Sequence, residues 1–167
     1  MHGKLKKYVQ KSAKVHIKGT TIEIGSFNVN GSVREVVNID IGIDIRKGKD
    51  VDLVLDACDA VSHFGEESFD NAISTDALEH SKEWKCFIQN MISLVKPGGF
   101  LILTAAHPKK GRHDYPNDYW RFDKSMWEKI FSHQEIISHF DIRPSNGVTV
   151  RKINNKLDTD FEPFKVK

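Results

Sequence analysis

The stretch from Thr21 to Asp44 constrains the fold of this chain more than any other part of its sequence. It reads TIEIGSFNVNGSVREVVNIDIGID, in which an apolar run leads into Gly25 and a polar turn continues through Gly31. A short helical pattern follows, and a second apolar run ends at the acid Asp44. This order predicts a strand, a glycine-bearing loop, a helix and a second strand, which together form the first half of a nucleotide-binding βαβ unit.

The residues around this loop separate two classes of cofactor. A diphosphate binder needs the pattern G-x-G-x-x-G, because the diphosphate presses against bare backbone at the start of the helix. Here Phe27 stands two residues after Gly25, where it would crowd a diphosphate, and Glu23 would add a carboxylate nearby. Neither side chain disfavours a cationic ligand without phosphate, and the carboxylate of Asp44 is suited to accept both hydroxyls of a ribose. The loop therefore favours S-adenosylmethionine over NAD.

Four segments resemble a known family in their order and spacing: EIGSFNVNGSV, IGIDIRKGKDVDLVLDA, FDNAISTDALEH and LVKPGGFLIL. From about Thr21 to Phe131, the chain resembles the class I S-adenosylmethionine-dependent methyltransferases of the methyltransferase-11 type, although the loop after Gly25 lacks the family's usual G-x-G. The resemblance implies an α/β, Rossmann-like fold. This would be a doubly wound, mostly parallel seven-stranded sheet with an antiparallel last strand at its edge, in a single compact domain. S-adenosyl-L-homocysteine would be the product left by the cofactor.

The resemblance places the cofactor at the carboxyl ends of the first four strands, where open α/β sheets bind their ligands. It implies that Asp44 binds the ribose, that Asp56 meets the adenine amino group and that the amide of Ala57 reaches a ring nitrogen. The segment after the fourth strand would lie beside the sulfonium, with His80 lining the cofactor. Asp56 has a structural alternative as a helix cap or turn former. The predicted cofactor-binding residues are Glu23, Gly25, Ser26, Asn28, Gly31, Ser32, Asp44, Ile45, Asp56, Ala57, Ser74, Thr75, Asp76 and His80.

Periodicity and helix-stop signals predict the remaining elements. Apolar residues at helical spacing from Trp84 to Val95 predict a helix that Ser81 would cap. The run Lys96-Pro97-Gly98-Gly99 ends this helix, because proline cannot continue it and glycine can adopt the left-handed cap conformation. Further strands are predicted at Phe69–Thr75, at 100–104, and at 135–142 and 148–153, the last two as a hairpin.

The loop from Ala105 to Asp123, AAHPKKGRHDYPNDYWRFD, is the most informative stretch for the substrate. It leaves the end of a strand at which the ligand crevice is expected, and it combines aromatic with ionisable side chains. Histidine and aspartate can act as general bases, arginine can bind an anionic group, and flat aromatic faces suit a sugar or planar acceptor. The predicted catalytic residues are His107, His113 and Asp118. The predicted substrate-binding residues are Tyr115, Tyr119, Trp120 and Arg121.

The segment YPNDYWRF resembles methyltransferases of polysaccharide and glycan-modification gene clusters. We therefore expect in-line methyl transfer to a small-molecule or saccharide acceptor, with an oxygen as the methylated atom. The same residues have a purely structural alternative. The aromatic turn would then pin the loop onto the core, with Trp120 and Phe122 buried and Arg121 paired with an acid.

Composition limits the remaining choices. The 167 residues suit one domain, and we predict a basic N-terminal helix over residues 1–18, a Rossmann-like domain over 19–153 and a loose, charged tail over 154–167. A net charge of +2 favours neither nucleic acid nor a membrane as partner, and no apolar run is long enough for a membrane span or a signal peptide. Two isolated cysteines, Cys58 and Cys86, predict a cytoplasmic protein without a disulfide framework, and we expect no metal site.

Three other functions stay open. A nicotinamide oxidoreductase would need a phosphate-binding glycine loop and usually a substrate domain, and the sequence offers neither. A nucleic-acid methyltransferase would need a continuous basic surface with aromatic platforms. The basic clusters at residues 46–49 and 109–112 could meet at one rim, which keeps RNA open, whereas the N/D-P-P-Y/F motif of DNA-base amine methylation is lacking. A protein that binds S-adenosylmethionine without transferring its methyl group is the third.

Overall fold

A computed structural model describes residues 3–113 and 117–166 of the chain. The α-helices in these residues are α1 (Gly3–His16), α2 (Ala60–Phe64), α3 (Trp84–Leu94) and α4 (Lys124–Ile130). The strands are β1 (Thr21–Ile24), β2 (Ile41–Asp44), β3 (Leu53–Val54), β4 (Phe69–Thr75), β5 (Val95–Ala106), β6 (Trp120–Arg121), β7 (Glu135–Ile142), β8 (Ser145–Arg151) and β9 (Phe164–Lys165). Short 3₁₀ turns lie at Val33–Glu35, Ala57–Asp59 and Leu78–His80.

Seven of these strands form one sheet in the order β3-β2-β1-β4-β5-β8-β7. β1 pairs in parallel with β2 on one side and with β4 on the other, and β4 pairs in parallel with β5. β8 runs antiparallel to both of its neighbours, β5 and β7. The predicted fold class, a doubly wound, mostly parallel sheet whose last strand is antiparallel, is confirmed.

The position of the antiparallel strand differs from the prediction. β8 lies between β5 and β7, so β7 forms the edge of the sheet. The side chains of β8 from Ser145 to Val150 are all buried, whereas those of β7 are mostly half-buried or exposed. A strand that is buried along its length belongs inside a sheet, and a strand with polar, solvated side chains suits an edge.

The two faces of the sheet pack against different helices. On one face, Leu5 and Val9 of α1 join a buried cluster with Ile73 of β4 and Ile102 of β5. Neighbouring residues of a strand point to opposite faces, so the adjacent residues of β4 and β5 serve the other side. The cluster on that side packs against α3 and includes Ile22, Ala72, Ile88 and Leu101. No helix in the described residues has both the length and the apolar character needed to cross a membrane.

The junction between α3 and β5 is tighter than the sequence predicted. α3 ends at Leu94 and β5 begins at Val95, so the proline and glycines of residues 96–99 lie inside the strand. A Cβ on Gly99 would overlap the carbonyl oxygen of Asp70. Glycine at this position therefore allows β5 to approach β4 closely from the first residues of the strand.

The C-terminal segment is packed against the domain, and the prediction of a loose tail is wrong. β9 pairs with β6 in a second, two-stranded sheet. The ring of Phe161 lies 5.4 Å from the ring of Trp84, measured between centroids. The side chain of Gln134 accepts from the amide of Ile153 at 2.8 Å and donates to the carbonyl of Lys156 at 2.6 Å. The boundaries proposed at residues 18 and 153 stay predictions.

The tail should contribute measurably to stability through Phe161. We expect Phe161→Ala to lower the free energy of unfolding by about 2 kcal/mol, because the ring loses its contact with the core. Phe164→Ala is the matched control: that side chain is 50% exposed, and its loss should cost less than about 0.5 kcal/mol. Urea unfolding of both variants measures the difference, and equal small effects would indicate a tail that is loose after all.

Candidate active site

The turn after β1 brings the ends of β1, β2 and β4 together. Gly25 has a φ angle of +79°, which favours glycine, and a Cβ on it would overlap the side chain of Ala77, two residues beyond β4. The amides of Gly25 and Ser26 both donate to the carbonyl of Ile43 in β2, at 2.9 and 3.0 Å. A larger residue at position 25 would push the loop away from the segment that follows β4.

Glu23, in β1, is a buried carboxylate whose Oε2 has no hydrogen-bond partner within residues 3–113 and 117–166. Burial raises the pKa of Glu23 to about 8, Arg34 opposes this rise, and three nearby aspartates add to it. The hydroxyl of Ser26 is also buried without a partner in the part of the chain that is described. Buried polar groups normally have partners, so these two are candidates for contact with a polar ligand, and an ionised Glu23 would favour a cation.

Asp44 stands at the end of β2 with its carboxylate turned toward the glycine loop. Its Oδ1 accepts from the amide of Arg46 at 2.8 Å, and its Oδ2 accepts from the amide of Phe27 at 3.3 Å. The guanidinium of Arg46 lies 4.7 Å from the centroid of the Phe27 ring, and a Cβ on Gly48 would overlap that ring. Phe27 therefore packs against the turn after β2, and Asp44 is fixed at the tip of its strand.

Three of the predicted cofactor residues, Asn28, Gly31 and Ser32, shape the loop. The amide group of Asn28 donates to Asp50 at 2.8 Å, and its carbonyl oxygen accepts from the amide of Gly31 at 3.0 Å. Ser32 caps the 3₁₀ turn that follows, and its own amide donates to the carboxylate of Glu35 at 3.2 Å. The helix predicted after this loop is reduced to that short turn.

The residues predicted to meet the adenine lie after β2 and β3. Ile45 directly follows Asp44 and is 63% exposed, which leaves an apolar surface beside the carboxylate. Asp56 caps the 3₁₀ turn that begins with Ala57, and its Oδ1 accepts from the amide of Cys58 at 2.8 Å. The structural alternative for Asp56 is thus confirmed, and any contact of this carboxylate with adenine stays a prediction.

Asp76, directly after β4, joins the ends of three strands. Its carboxylate accepts from the hydroxyl of Thr104 in β5 at 3.1 Å and from that of Ser145 in β8 at 2.6 Å. Burial raises the pKa of Asp76, a nearby glutamate adds to the rise, and the two hydroxyls oppose it. Thr75 pairs with Thr104 across the sheet, and the buried hydroxyl of Ser74 has no partner among the described residues.

Glu79, His80 and His113 form a compact group that we call the Glu79 cluster. One donor atom from each side chain lies within 4.8 Å of the other two. The Oε1 atom of Glu79 lies 4.0 Å from Nε2 of His80 and 3.7 Å from Nε2 of His113. The carboxylate is 0% exposed, and neither oxygen has a hydrogen-bond partner in the described structure. Glu79 is therefore a buried acid that no described hydrogen bond satisfies, beside two imidazoles.

The sequence predicts different roles for the two histidines of this cluster, His80 with the cofactor and His113 as a base, and it predicts no role for Glu79. The only local signal was the pair Glu79-His80 soon after a predicted strand. The burial of Glu79 and its closeness to His113, 34 positions later in the chain, follow from the path of the loop over the sheet. A local sequence pattern does not contain that information.

A buried ion pair between Asp118 and Arg121 holds this loop. Nη1 and Nη2 of Arg121 donate to the two oxygens of Asp118 at 2.6 and 2.8 Å. The guanidinium also donates to the carbonyls of Lys110 and Gly111, at 3.2 and 3.0 Å. Arg121 is 3% exposed, so the prediction that it anchors an anionic substrate does not fit, because its donors are used inside the protein.

The predicted role of Asp118 as a general base does not fit its environment either. Burial alone would raise the pKa of Asp118, but hydrogen bonds from Arg121 and from the amide of His113 outweigh it and lower the pKa to about 2. A group with so low a pKa is a weak base near neutral pH. Its Oδ2 lies 2.9 Å from Nδ1 of His113, which suits a positioning role toward that imidazole.

Trp120 is buried, and its indole donates to the carbonyl of Ser81 at 2.9 Å. Ser81 therefore does not cap α3, whose N-cap position is taken by Glu83 without a side-chain hydrogen bond. Phe122 is also buried, with its ring 5.5 Å from that of Trp84. The structural alternative is confirmed for Trp120 and Phe122, which pin the loop to the core, and Trp120 does not offer an open face to a substrate.

The two predicted tyrosines differ in what the structure describes. Tyr119 is half-buried, its hydroxyl donates to the side chain of Asn117 at 3.2 Å, and its amide donates to the carbonyl of Glu79 at 2.9 Å. Tyr119 therefore lies next to the Glu79 cluster, where a substrate role stays a prediction. Tyr115 lies outside the described residues.

His107 is not part of the Glu79 cluster. Its Nδ1 accepts from the amide of Lys109 at 2.9 Å, and its Nε2 lies 3.2 Å from the carboxylate of Asp141 in β7. With both nitrogens occupied at the end of β5, His107 is poorly placed to take a proton from a substrate.

Residues 19–103 match the model of a family described as a methyltransferase domain. Among solved structures, the chain is similar to a Burkholderia thailandensis 1,6-didemethyltoxoflavin-N1-methyltransferase crystallised with 1,6-didemethyltoxoflavin and S-adenosylhomocysteine (12% identity, 89% of this chain, 78% of that chain, TM-score 0.67). It is also similar to the [4+2]-cyclase SpnF (15% identity, 90% of this chain, 81% of that chain, TM-score 0.68). A third similar structure is a Haemonchus contortus phosphoethanolamine N-methyltransferase 2 in complex with S-adenosyl-L-methionine (14% identity, 90% of this chain, 53% of that chain, TM-score 0.67). No curated protein matches the sequence.

The raised pKa of Glu23 predicts a specific pH dependence of stability. Between its ordinary pKa of 4.5 and about 8, the folded protein keeps a proton that the unfolded chain has released. The free energy of unfolding should therefore fall as the pH rises from about 5 to about 8, with a contribution of up to about 1.4 kcal/mol per pH unit. Glu23→Gln should remove this contribution, whereas Glu66→Gln, at an exposed acid, should keep it.

Urea unfolding at several pH values between 5 and 8.5 measures both variants against the unchanged protein. A Glu23→Gln profile parallel to that of the unchanged protein would mean that Glu23 ionises normally in the fold.

Proposed function

The chain belongs to the methyltransferase domain family, and from this premise we propose that it transfers a methyl group from S-adenosylmethionine to an oxygen atom of a small-molecule or saccharide acceptor. The observation that carries the proposal is the buried carboxylate of Glu23, which has an oxygen without a partner in the described residues and stands two positions before the Gly25 turn. A cytoplasmic location stays a prediction from the low cysteine content of the chain.

The residues around the Gly25 turn fit the parts of S-adenosylmethionine. The amino group of its methionine moiety is a cation and suits Glu23, the ribose hydroxyls suit Asp44, and the adenine suits the apolar surface of Ile45. When bound, the cofactor supplies an electrophilic methyl group, and S-adenosylhomocysteine remains after the transfer. The other predicted cofactor residues are proposed to line or shape the same site: Gly25, Ser26, Asn28, Gly31, Ser32, Asp56, Ala57, Ser74, Thr75, Asp76 and His80.

We propose the Glu79 cluster as the binding site of the acceptor hydroxyl. This cluster follows β4, next to the segment whose Ala77 touches the glycine turn, and Tyr119 binds the backbone of Glu79 from the loop above. A hydroxyl must lose its proton as its oxygen attacks, and His113, beside the carboxylate of Asp118, is the side chain that activates it. Much of the rate would come from holding acceptor and methyl group in line.

A protein that binds the cofactor and catalyses no methyl transfer is the second candidate. The similarity to a structure described as a [4+2]-cyclase favours keeping it, because that protein is described by a different reaction. RNA is a weaker candidate, since Arg46, in one of the two basic clusters, lies beside Asp44 and covers the ring of Phe27.

Calorimetry with S-adenosylmethionine, S-adenosylhomocysteine and NAD tests the cofactor assignment. We expect micromolar binding of the two sulfur compounds and none of NAD. Asp44→Asn keeps the shape of the side chain. It should weaken the binding of S-adenosylhomocysteine at least tenfold, or by about 1.4 kcal/mol, because the ribose hydroxyls lose an ionised acceptor. Glu66→Gln removes an exposed acid outside the site and should leave the affinity unchanged. Binding of NAD alone would contradict the assignment.

Turnover on an acceptor found by screening sugars and small hydroxyl compounds tests the role of His113. We expect His113→Ala to lower kcat about 10²- to 10⁴-fold while the affinity for S-adenosylhomocysteine stays within about twofold, because the residue activates the acceptor and not the cofactor. His133→Ala, at an exposed histidine, is the control. Equal turnover in both variants would remove His113 from the mechanism.

A further inference from the structure

We propose that Glu79, His80 and His113 bind a divalent transition-metal ion, which takes the acceptor oxygen in an open coordination position. The metal site itself follows from the geometry of the Glu79 cluster, while the use of its open position rests on the proposed function.

The carboxylate of Glu79 is the first observation. It is 0% exposed, and hydrogen-bond partners for its two oxygens are lacking throughout residues 3–113 and 117–166. A buried carboxylate without partners is costly, because desolvation is not compensated. One Glu79 oxygen faces the Nε2 atoms of both histidines, so a cation between the three side chains would satisfy it.

The outer nitrogens of the two imidazoles are the second observation. Nδ1 of His80 lies 2.5 Å from the carbonyl oxygen of Asn117, which can only accept, so Nδ1 carries a proton. In the neutral imidazole this tautomer leaves the lone pair on Nε2. Nδ1 of His113 lies 2.9 Å from Oδ2 of Asp118, whose negative charge favours the same tautomer. Metal-binding histidines characteristically direct their outer N–H to a carbonyl or carboxylate in this way.

The distances distinguish an ion from simple ion pairs. A protonated imidazole that paired with Glu79 would approach it to about 2.8 Å. The observed separations are 3.7 and 4.0 Å, and all three donor atoms lie within 4.8 Å of one another. Donor atoms on a tetrahedral zinc ion, with bonds of about 2.1 Å, stand about 3.4 Å apart. The cluster is therefore spaced for an ion at its centre, with a small inward rotation of the side chains.

The donor set selects the class of metal. Two imidazole nitrogens and one carboxylate suit zinc, iron or another first-row transition metal, whereas magnesium and calcium prefer oxygen donors. Three protein ligands leave at least one position open, as in catalytic metal sites. With the ion bound, His113 acts on the acceptor as a metal ligand and not as the base, because a hydroxyl in the open position loses its proton to solvent more readily. Its oxygen then forms the bond to the methyl carbon as the carbon–sulfur bond breaks and the sulfur keeps the electron pair.

The test is a titration of the full chain, without an affinity tag and freed of metal by a chelator, with Co²⁺ and Zn²⁺. We expect one ion per chain with micromolar or tighter affinity, and a visible cobalt spectrum without thiolate charge transfer. Glu79→Gln and His113→Ala should each weaken binding at least about a hundredfold. His133→Ala, at an exposed histidine, should leave it unchanged, and circular dichroism checks that every variant is folded.

Three results would overturn the metal site: no stoichiometric binding, binding that survives both cluster variants, or a thiolate signal that assigns the ion to Cys58 and Cys86. Calorimetry of S-adenosylhomocysteine on the same samples separates this proposal from the proposed function. Cofactor binding without metal binding rejects only the ion. Metal binding without cofactor binding keeps the ion and rejects its role in methyl transfer.

Discussion

The ion pair between Asp118 and Arg121 is the interaction on which the arrangement of the site loop depends. Arg121 donates to backbone carbonyls earlier in the loop as well as to Asp118, so one guanidinium closes the loop on itself. Asp118 in turn contacts the imidazole of His113. The carbonyl of Tyr119 accepts a hydrogen bond from the amide of Val166, and this bond holds the C-terminal segment against the loop. Loss of either charge would leave the other buried and unpaired, at a cost of about 3–5 kcal/mol.

The four acids Glu23, Asp76, Glu79 and Asp118 are of two kinds. Asp76 and Asp118 accept hydrogen bonds on both oxygens from neighbouring groups, and these contacts hold strands or loop in place. Glu23 and Glu79 each keep an oxygen that no described residue satisfies. Proteins retain such costly groups mainly where a ligand completes them. We therefore propose that the two glutamates take part in the chemistry of the site and that the two aspartates support it.

Much of the fold could be predicted because local sequence patterns determine many of its strands and helices. β4 and β7 have the predicted bounds, since each is an apolar or alternating run between polar or glycine-rich turns. The order of β7 and β8 and the packing of Phe161 could not be predicted, because they depend on contacts between residues far apart in sequence. The same holds for the site. Gly25 and Asp44 could be predicted from the residues directly around them. The burial of Glu79 could not, because it depends on the loop after β5, which comes later in the sequence and packs over Glu79.

The placement of β7 at one edge of the sheet and of β3 at the other has a consequence for association between chains. β3 is two residues long, and β7 carries polar side chains and a register shift between Ile136 and Ser138. Short, charged or irregular edges are poor templates for an additional strand. The buried, apolar β8 would be a far better template, and the hairpin encloses it between two partners. Crowding this protein should therefore not drive its sheets to join edge to edge into fibrils.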